Sequence, residues 1–185
     1  MAAKKFMAVS GIIGILAISA FIALAGFLQS AAAQSVEIKT EFFMILYAPL
    51  QPAQAVNTDL SIVHIREGGY VEGPSIKGKI LQPAGDWIRR MPNGTSRQEA
   101  RLTIQTDDNS LIYMEYGGVG KLGKEASARF GKGEILGAEE AYYVIAPRFQ
   151  TTSAKYAWLN DVQAIGRMVS LKRGDHIEYE IFLVR

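Results

Sequence analysis

Short runs of alternating apolar and polar residues, each cut off by glycine, proline or asparagine before it reaches helical length, leave this chain few options other than antiparallel β structure. The segments run from Val36 to Tyr47, Leu60 to Glu67, Tyr70 to Leu81, Trp87 to Met91, Glu99 to Thr106, Ser110 to Tyr116, Tyr142 to Phe149, Ala157 to Arg167 and His176 to Val184. Gly68-Gly69, Asn93-Gly94, Asp107-Asp108-Asn109 and Lys172-Arg173-Gly174-Asp175 supply the turns between them. Gly73-Pro74 and Gly78 inside one segment predict a bulge and a sharp bend. Nine or ten strands at this spacing predict one all-β domain, a single antiparallel barrel, preceded by an N-terminal signal helix. Gly117 to Glu140, rich in glycine and charge, is expected to be a long loop with a short helix near Ala126.

The first 33 residues have the three parts of a secretory leader. Lys4 and Lys5 form the positive start, Phe6 to Leu28 the apolar stretch, and Ala31-Ala32-Ala33 the small-residue ending that signal peptidase reads. Cleavage after Ala33 makes 34–185 the mature domain, with a periplasmic or secreted location. An uncleaved leader would be the chain's contact with the membrane, since its apolar run exceeds the ~18 residues that span a bilayer.

Charge and cysteine content then remove whole classes of function. The chain has 20 Lys and Arg against 18 Asp and Glu, and the two basic residues of the leader account for the excess. A balanced mature domain has no clustered basic surface of the kind that phosphate backbones require, so nucleic acid is set aside as a partner. With no cysteine and two histidines, thiolate chemistry, structural disulfides and the usual zinc sites are excluded, and no metal or cofactor is expected. A homodimer is compatible with such a domain.

Several strings, in order along the mature chain, resemble the DUF3237 (UPF0311) proteins. They are Gly73-Pro74 with Gly78; Gly85-Asp86-Trp87; Gly94 and Arg101; Thr106-Asp107-Asp108 with Ile112-Tyr113; Pro147 to Thr151; Tyr156 to Asn160 with Gly166; and Tyr179 to Phe182. Asn93 and Asn109 depart from the usual Asp and Gly, both at turns. The resemblance implies a lipocalin-like or calycin-like barrel with a cavity at one end. It supplies no mechanism, because fold does not carry function.

Candidate chemistry centres on a few residues. Trp87 beside Asp86, and Trp158 beside Asn160, pair a ring with a short polar group near strand ends, as at a pocket mouth; the structural alternative is rings in the core and polar groups capping turns. Arg101, alone in a clean strand, suits a carboxylate or an enolate oxygen, or bridges to Glu115 or Asp86. Tyr113 could donate to a ligand or simply pack. Three readings follow. The first is a barrel that binds a small hydrophobic or aromatic molecule through Trp87, Arg101, Tyr113, Trp158 and Asn160. The second is a cofactor-independent lyase, isomerase or cyclase, with Asp86 as base, Arg101 steadying an oxyanion, and Tyr113 or Asn160 orienting the substrate. The third is a protein of assembly. The first two expect Asp86 and Arg101 to converge on a cavity; the third expects a filled barrel and an apolar outer patch.

Overall fold

A computed structural model describes residues 36–185, and the leader lies outside the described residues. Eleven strand segments follow one another: β1 (Thr40–Pro49), β2 (Gln54–Ala55), β3 (Leu60–His64), β4 (Tyr70–Gly73), β5 (Ile76–Arg90), β6 (Ser96–Thr106) and β7 (Leu111–Leu122), then the helix α1 (Lys124–Gly131), then β8 (Leu136–Gly137), β9 (Ala141–Gln150), β10 (Ala164–Lys172) and β11 (His176–Val184). Eight of them, in the order β5-β4-β1-β11-β10-β9-β7-β6, close into an antiparallel barrel because β5 also pairs with β6. Closure leaves the barrel strands without an open edge, which suits strands this long.

Alternation selects the inside. Along β6 the buried residues are Ser96, Gln98, Ala100, Leu102, Ile104 and Thr106, and each intervening residue is at least partly exposed. β11 repeats the pattern with Ile177, Tyr179, Ile181 and Leu183. These side chains meet Phe43, Met44 and Leu46 of β1, Ile112 and Met114 of β7, and Met168 of β10 in one core that fills much of the interior. Burying a single side chain of this size stabilises the fold by about 1.5–3 kcal/mol.

Three local expectations change. Gly73 ends β4 and Pro74-Ser75 is the turn into β5, not a bulge inside a strand; added carbon at Gly73 would run into the Phe43 carbonyl. The β5 irregularity lies instead between Leu81 and Gly85, where two residues more than on β6 are accommodated. Gly117, Gly118 and Gly120 continue β7 rather than opening a loop, because their partners on β6 and β9 hold them in register. The short helix near Ala126 is present as α1. The segment expected as a strand from Ala157 begins as a single 3-10 turn, Ala157–Asp161, which tucks Leu159 into the core before β10 starts at Ala164.

β3 and β4 act as one interrupted strand. Leu60 pairs with Arg89 and Tyr70 with Lys79, so the register along β5 is unchanged across the break.

Candidate functional site

Cross-strand register determines which predicted residues can meet. Directly opposed residues in an antiparallel pair share a face. Asp86 opposes Ala100, and Ala100 opposes Tyr116; Ala100 and Tyr116 are both buried in the barrel. Asp86 therefore points inward. Arg101 opposes Gly85 and Glu115 on the other face and is exposed. The structure does not bring Asp86 and Arg101 together, because neighbouring positions on a pleated sheet face opposite ways.

The outer face gathers the other candidates into a surface group. The Arg101 guanidinium lies 5.8 Å from the centre of the Trp87 ring. Tyr113 donates to Glu115 Oε2 at 3.3 Å, and Arg148 pairs with Glu115 at 3.0 Å. Trp158 and Asn160 are on the 3-10 turn, where Asn160 lines a surface cleft together with Glu115 and Arg148. The Trp158 ring meets Phe43 edge-on at 5.6 Å, and Asn160 binds the Thr151 backbone both ways, accepting its N–H at 2.9 Å and donating to its carbonyl at 3.0 Å. Asn160 thus fastens a turn, and Trp158 stays partly exposed rather than in the core.

Sequence reasoning missed what surrounds Asp86. On the same inner face, Ser96 and Gln98 of β6 stand beside Gly120 and Gly118 of β7. The Gln98 side-chain amide donates to Ser96 Oγ at 2.9 Å; Ser96 Oγ donates to the Gly120 carbonyl at 3.1 Å and lies 3.3 Å from the Tyr143 hydroxyl. Glycine is required at 120 for space, since a β-carbon there would fall 2.6 Å from Ser96 Oγ and collide with the Tyr143 ring. From the facing wall Tyr179 reaches across to Tyr116, their ring centres 6.0 Å apart. Two polar atoms of this group, Gln98 Oε1 and the Tyr179 hydroxyl, are buried with no hydrogen-bond partner among the described residues. Such atoms usually cost about 1–3 kcal/mol each, which marks the place as one where packing alone did not select the residues. The signal in the sequence was polar residues at inward positions of β6, legible only once the face is known.

Electrostatics sets Asp86 apart. It keeps part of its surface accessible although protein atoms crowd the carboxyl on nearly every side. Desolvation pushes its pKa up to about 7, helped by the nearby Glu99 charge and opposed by the Glu99 N–H, which donates to Asp86 Oδ1 at 3.0 Å. Burial also raises the hydroxyl pKa of Tyr116, Tyr143 and Tyr179, and the Asp86 charge pushes each further in that direction. A carboxyl that exchanges its proton near neutral pH among polar groups can act as acid or base. Two open surface clefts, of about 420 and 460 Å³, are present: the first is lined by residues such as Glu72, Lys77, Lys79 and Asp107, and the second by Glu115 and Arg148 together with Asn160. Neither lining includes Asp86. Among the described residues no three His, Asp or Glu side chains converge as a metal site would need.

Known proteins place this architecture. A curated UPF0311 protein from Rhodopseudomonas palustris is 32% identical over 99 residues, which cover 54% of this chain and 65% of the relative, so the match spans just under two thirds of that relative's length. A hydroalkoxylation enzyme from Penicillium herquei is 28% identical over 112 residues, 60% of each chain. Among solved structures, a conserved protein of unknown function from R. palustris superposes with a TM-score of 0.75 at 24% identity, over 82% of this chain and 100% of that one. A β-barrel-like protein from Acinetobacter baumannii does so at 0.68 and 26%, over 83% and 99%. The model of the family described as protein of unknown function, DUF3237, matches residues 38–184, and with the closed barrel and the ordered strings this chain belongs to the DUF3237 family.

Proposed function

We propose that the domain is an exported barrel that binds a small apolar or aromatic molecule at the Asp86 end of its interior and moves a proton on it without a cofactor. The observation that carries this reading is the inward-facing Asp86 carboxyl, set among buried tyrosines and an unsatisfied Gln98 oxygen, where burial pushes its pKa up to about 7. Similarity to a hydroalkoxylation enzyme supports a proton-transfer reaction of this kind. In such an addition the O–H bond of an alcohol breaks and the C=C π bond opens. Asp86 takes the hydroxyl proton, the oxygen bonds one carbon, and a proton is returned to the other carbon. Product and substrate are isomers, so no oxidant or reductant is consumed. Arg101, on the outer face, is not part of this chemistry.

The test is a carbon-detected NMR titration of the Asp86 side-chain carboxyl, in protein labelled on aspartate. A midpoint near 7 is expected. A midpoint near the ordinary value of about 4 would remove Asp86 as a neutral-pH acid or base. Native mass spectrometry of protein purified from the periplasm then checks binding: a co-purifying small molecule is expected, lost in Asp86→Asn or Gln98→Leu protein that remains folded.

A further inference from the structure

A stack of rings runs along the outer wall and ends at an open cleft. Ser170 Oγ lies 2.8 Å from His176 Nε2, the His176 ring stacks on Tyr47 at 5.5 Å, and Tyr47 stacks on Tyr70 at 5.1 Å. Tyr70 is the last ring of the row. Tyr47 covers one of its faces, yet Tyr70 stays 40% exposed and lines the cleft of about 420 Å³, so its other face is turned to that cleft. Register shows what stands beside it. Tyr70 opposes Lys79 of β5, and Lys79 opposes Gln105 of β6, so all three share the outer face. Two residues along, Glu72 opposes Lys77, and the Asp107 N–H donates to the Lys77 carbonyl at 3.0 Å. Asn109 joins the lining from the β6–β7 turn, its Oδ1 within 3.5 Å of Gln105 Nε2.

We infer that this cleft binds a neutral carbohydrate, one sugar ring lying on the free face of Tyr70 and its hydroxyls meeting Lys79, Gln105, Asp107 and Asn109. Polar groups here are uncommitted: among the described residues neither Lys79 nor Asp107 forms an ion pair, whereas Lys77 pairs with Glu72 at 3.2 Å. The charges of the lining cancel, Lys77 and Lys79 against Glu72 and Asp107, which favours neither an anion nor a cation. Apolar side chains are confined to Tyr70 and Val71, too little surface for the apolar ligand proposed inside the barrel. A pyranose suits such a surface. Its C–H groups form an apolar face that covers a ring, while its rim of hydroxyls both donates and accepts. Ammonium and amide donors beside carboxylate and carbonyl acceptors answer both roles. The volume falls within the ~300–1,000 Å³ usual for small-molecule sites, and an open cleft leaves the ends of a longer glycan free. Stacking on Tyr47 holds the Tyr70 ring in place beforehand, which lowers the cost of ordering it on binding. The cleft is on the outer face of the wall and Asp86 on the inner, so this site is distinct from the interior one.

Two neutral trisaccharides, cellotriose and N,N′,N″-triacetylchitotriose, and the anionic trigalacturonate test this when titrated into the purified protein, with the ring resonances of Tyr70 followed by NMR. At least one neutral sugar is expected to bind with a Kd on the order of 1 mM, more tightly than trigalacturonate, and to shift the Tyr70 ring. Y70A is expected to weaken that binding at least about tenfold, and K79A/N109G, which leaves the ring stack in place, at least about fivefold. Glycine suits position 109 because Asn109 has a φ of 62°. D86N should bind the sugar as the wild type does, which keeps the fate of this site separate from that of the interior one. No Tyr70 shift with either neutral sugar at about 20 mM, tighter binding of trigalacturonate, or sugar binding that persists unchanged in folded Y70A or K79A/N109G would each overturn the inference. So would the loss of sugar binding in folded D86N.

Discussion

Asp86 makes the pH dependence of stability an unusual one. A carboxyl whose folded pKa is raised loses stability as pH climbs from its unfolded value near 4 to its folded value near 7, because the unfolded chain ionises first. Below about 4 the group is protonated in both states and contributes nothing to the slope. Asp86→Asn is therefore expected to match the wild type at pH 4 and to exceed it at pH 8 by up to a few kcal/mol, read by denaturant unfolding at the two pH values. Asn160→Ala should behave in the opposite sense. It loses both bonds to the Thr151 backbone, so a cost of about 1–2 kcal/mol at any pH is expected, read by the same denaturant unfolding. Both residues were singled out from sequence, Asp86 for its place in Gly85-Asp86-Trp87 and Asn160 for its neighbour Trp158. Their different fates were not legible there. Asp86 and Arg101 are fifteen positions apart, and only the register of β5 on β6 shows that they occupy opposite faces.

At the scale of the elements, strands bounded by strong turns were readable and those bounded by weak ones were not. The β6–β7 turn illustrates the first kind. Thr106 and Ser110 close on Asp108, and Lys155 from a distant segment holds the Asp108 carboxyl far below the usual carboxylate range. β7 illustrates the second, because three glycines within it imitate a loop, two of which, Gly118 and Gly120, make room for the side chains of Gln98, Ser96 and Tyr143. Gly120→Ala should accordingly cost about 1–3 kcal/mol, as overpacking does, and should disturb the Ser96–Tyr143 contact; the paired readout is thermal unfolding with the ring resonances of Tyr143. The run from Ala157 looked extended because its aromatic and aliphatic residues favour strands. A 3-10 turn buries Leu159 there without asking β9 to pair further, so tertiary packing overrode local preference.

For the molecule as a whole, the leader and the barrel make separate claims. If export follows the reading of the first 33 residues, intact mass spectrometry of the periplasmic protein should find a chain that starts at Gln34; full-length mass in the membrane fraction would instead mean a retained anchor. The barrel class was legible from alternation and turn spacing, and the ordered family strings sharpened it, but closure itself rests on β5 pairing on both its sides. That double duty gives the extra length between Leu81 and Gly85 a consequence of parity. Two added residues are an even number, so the positions that face inward before the irregularity, such as Ile80, are followed by Asp86, Ile88 and Arg90 facing inward after it. An odd number would invert everything downstream. Trp87 and Arg89 would then point into the barrel, and Asp86 would join Arg101 outside. Length change here is governed by evenness rather than size: losing Pro83 alone should abolish folding, whereas losing Gln82 and Pro83 together should leave a shorter wall with the same inner face.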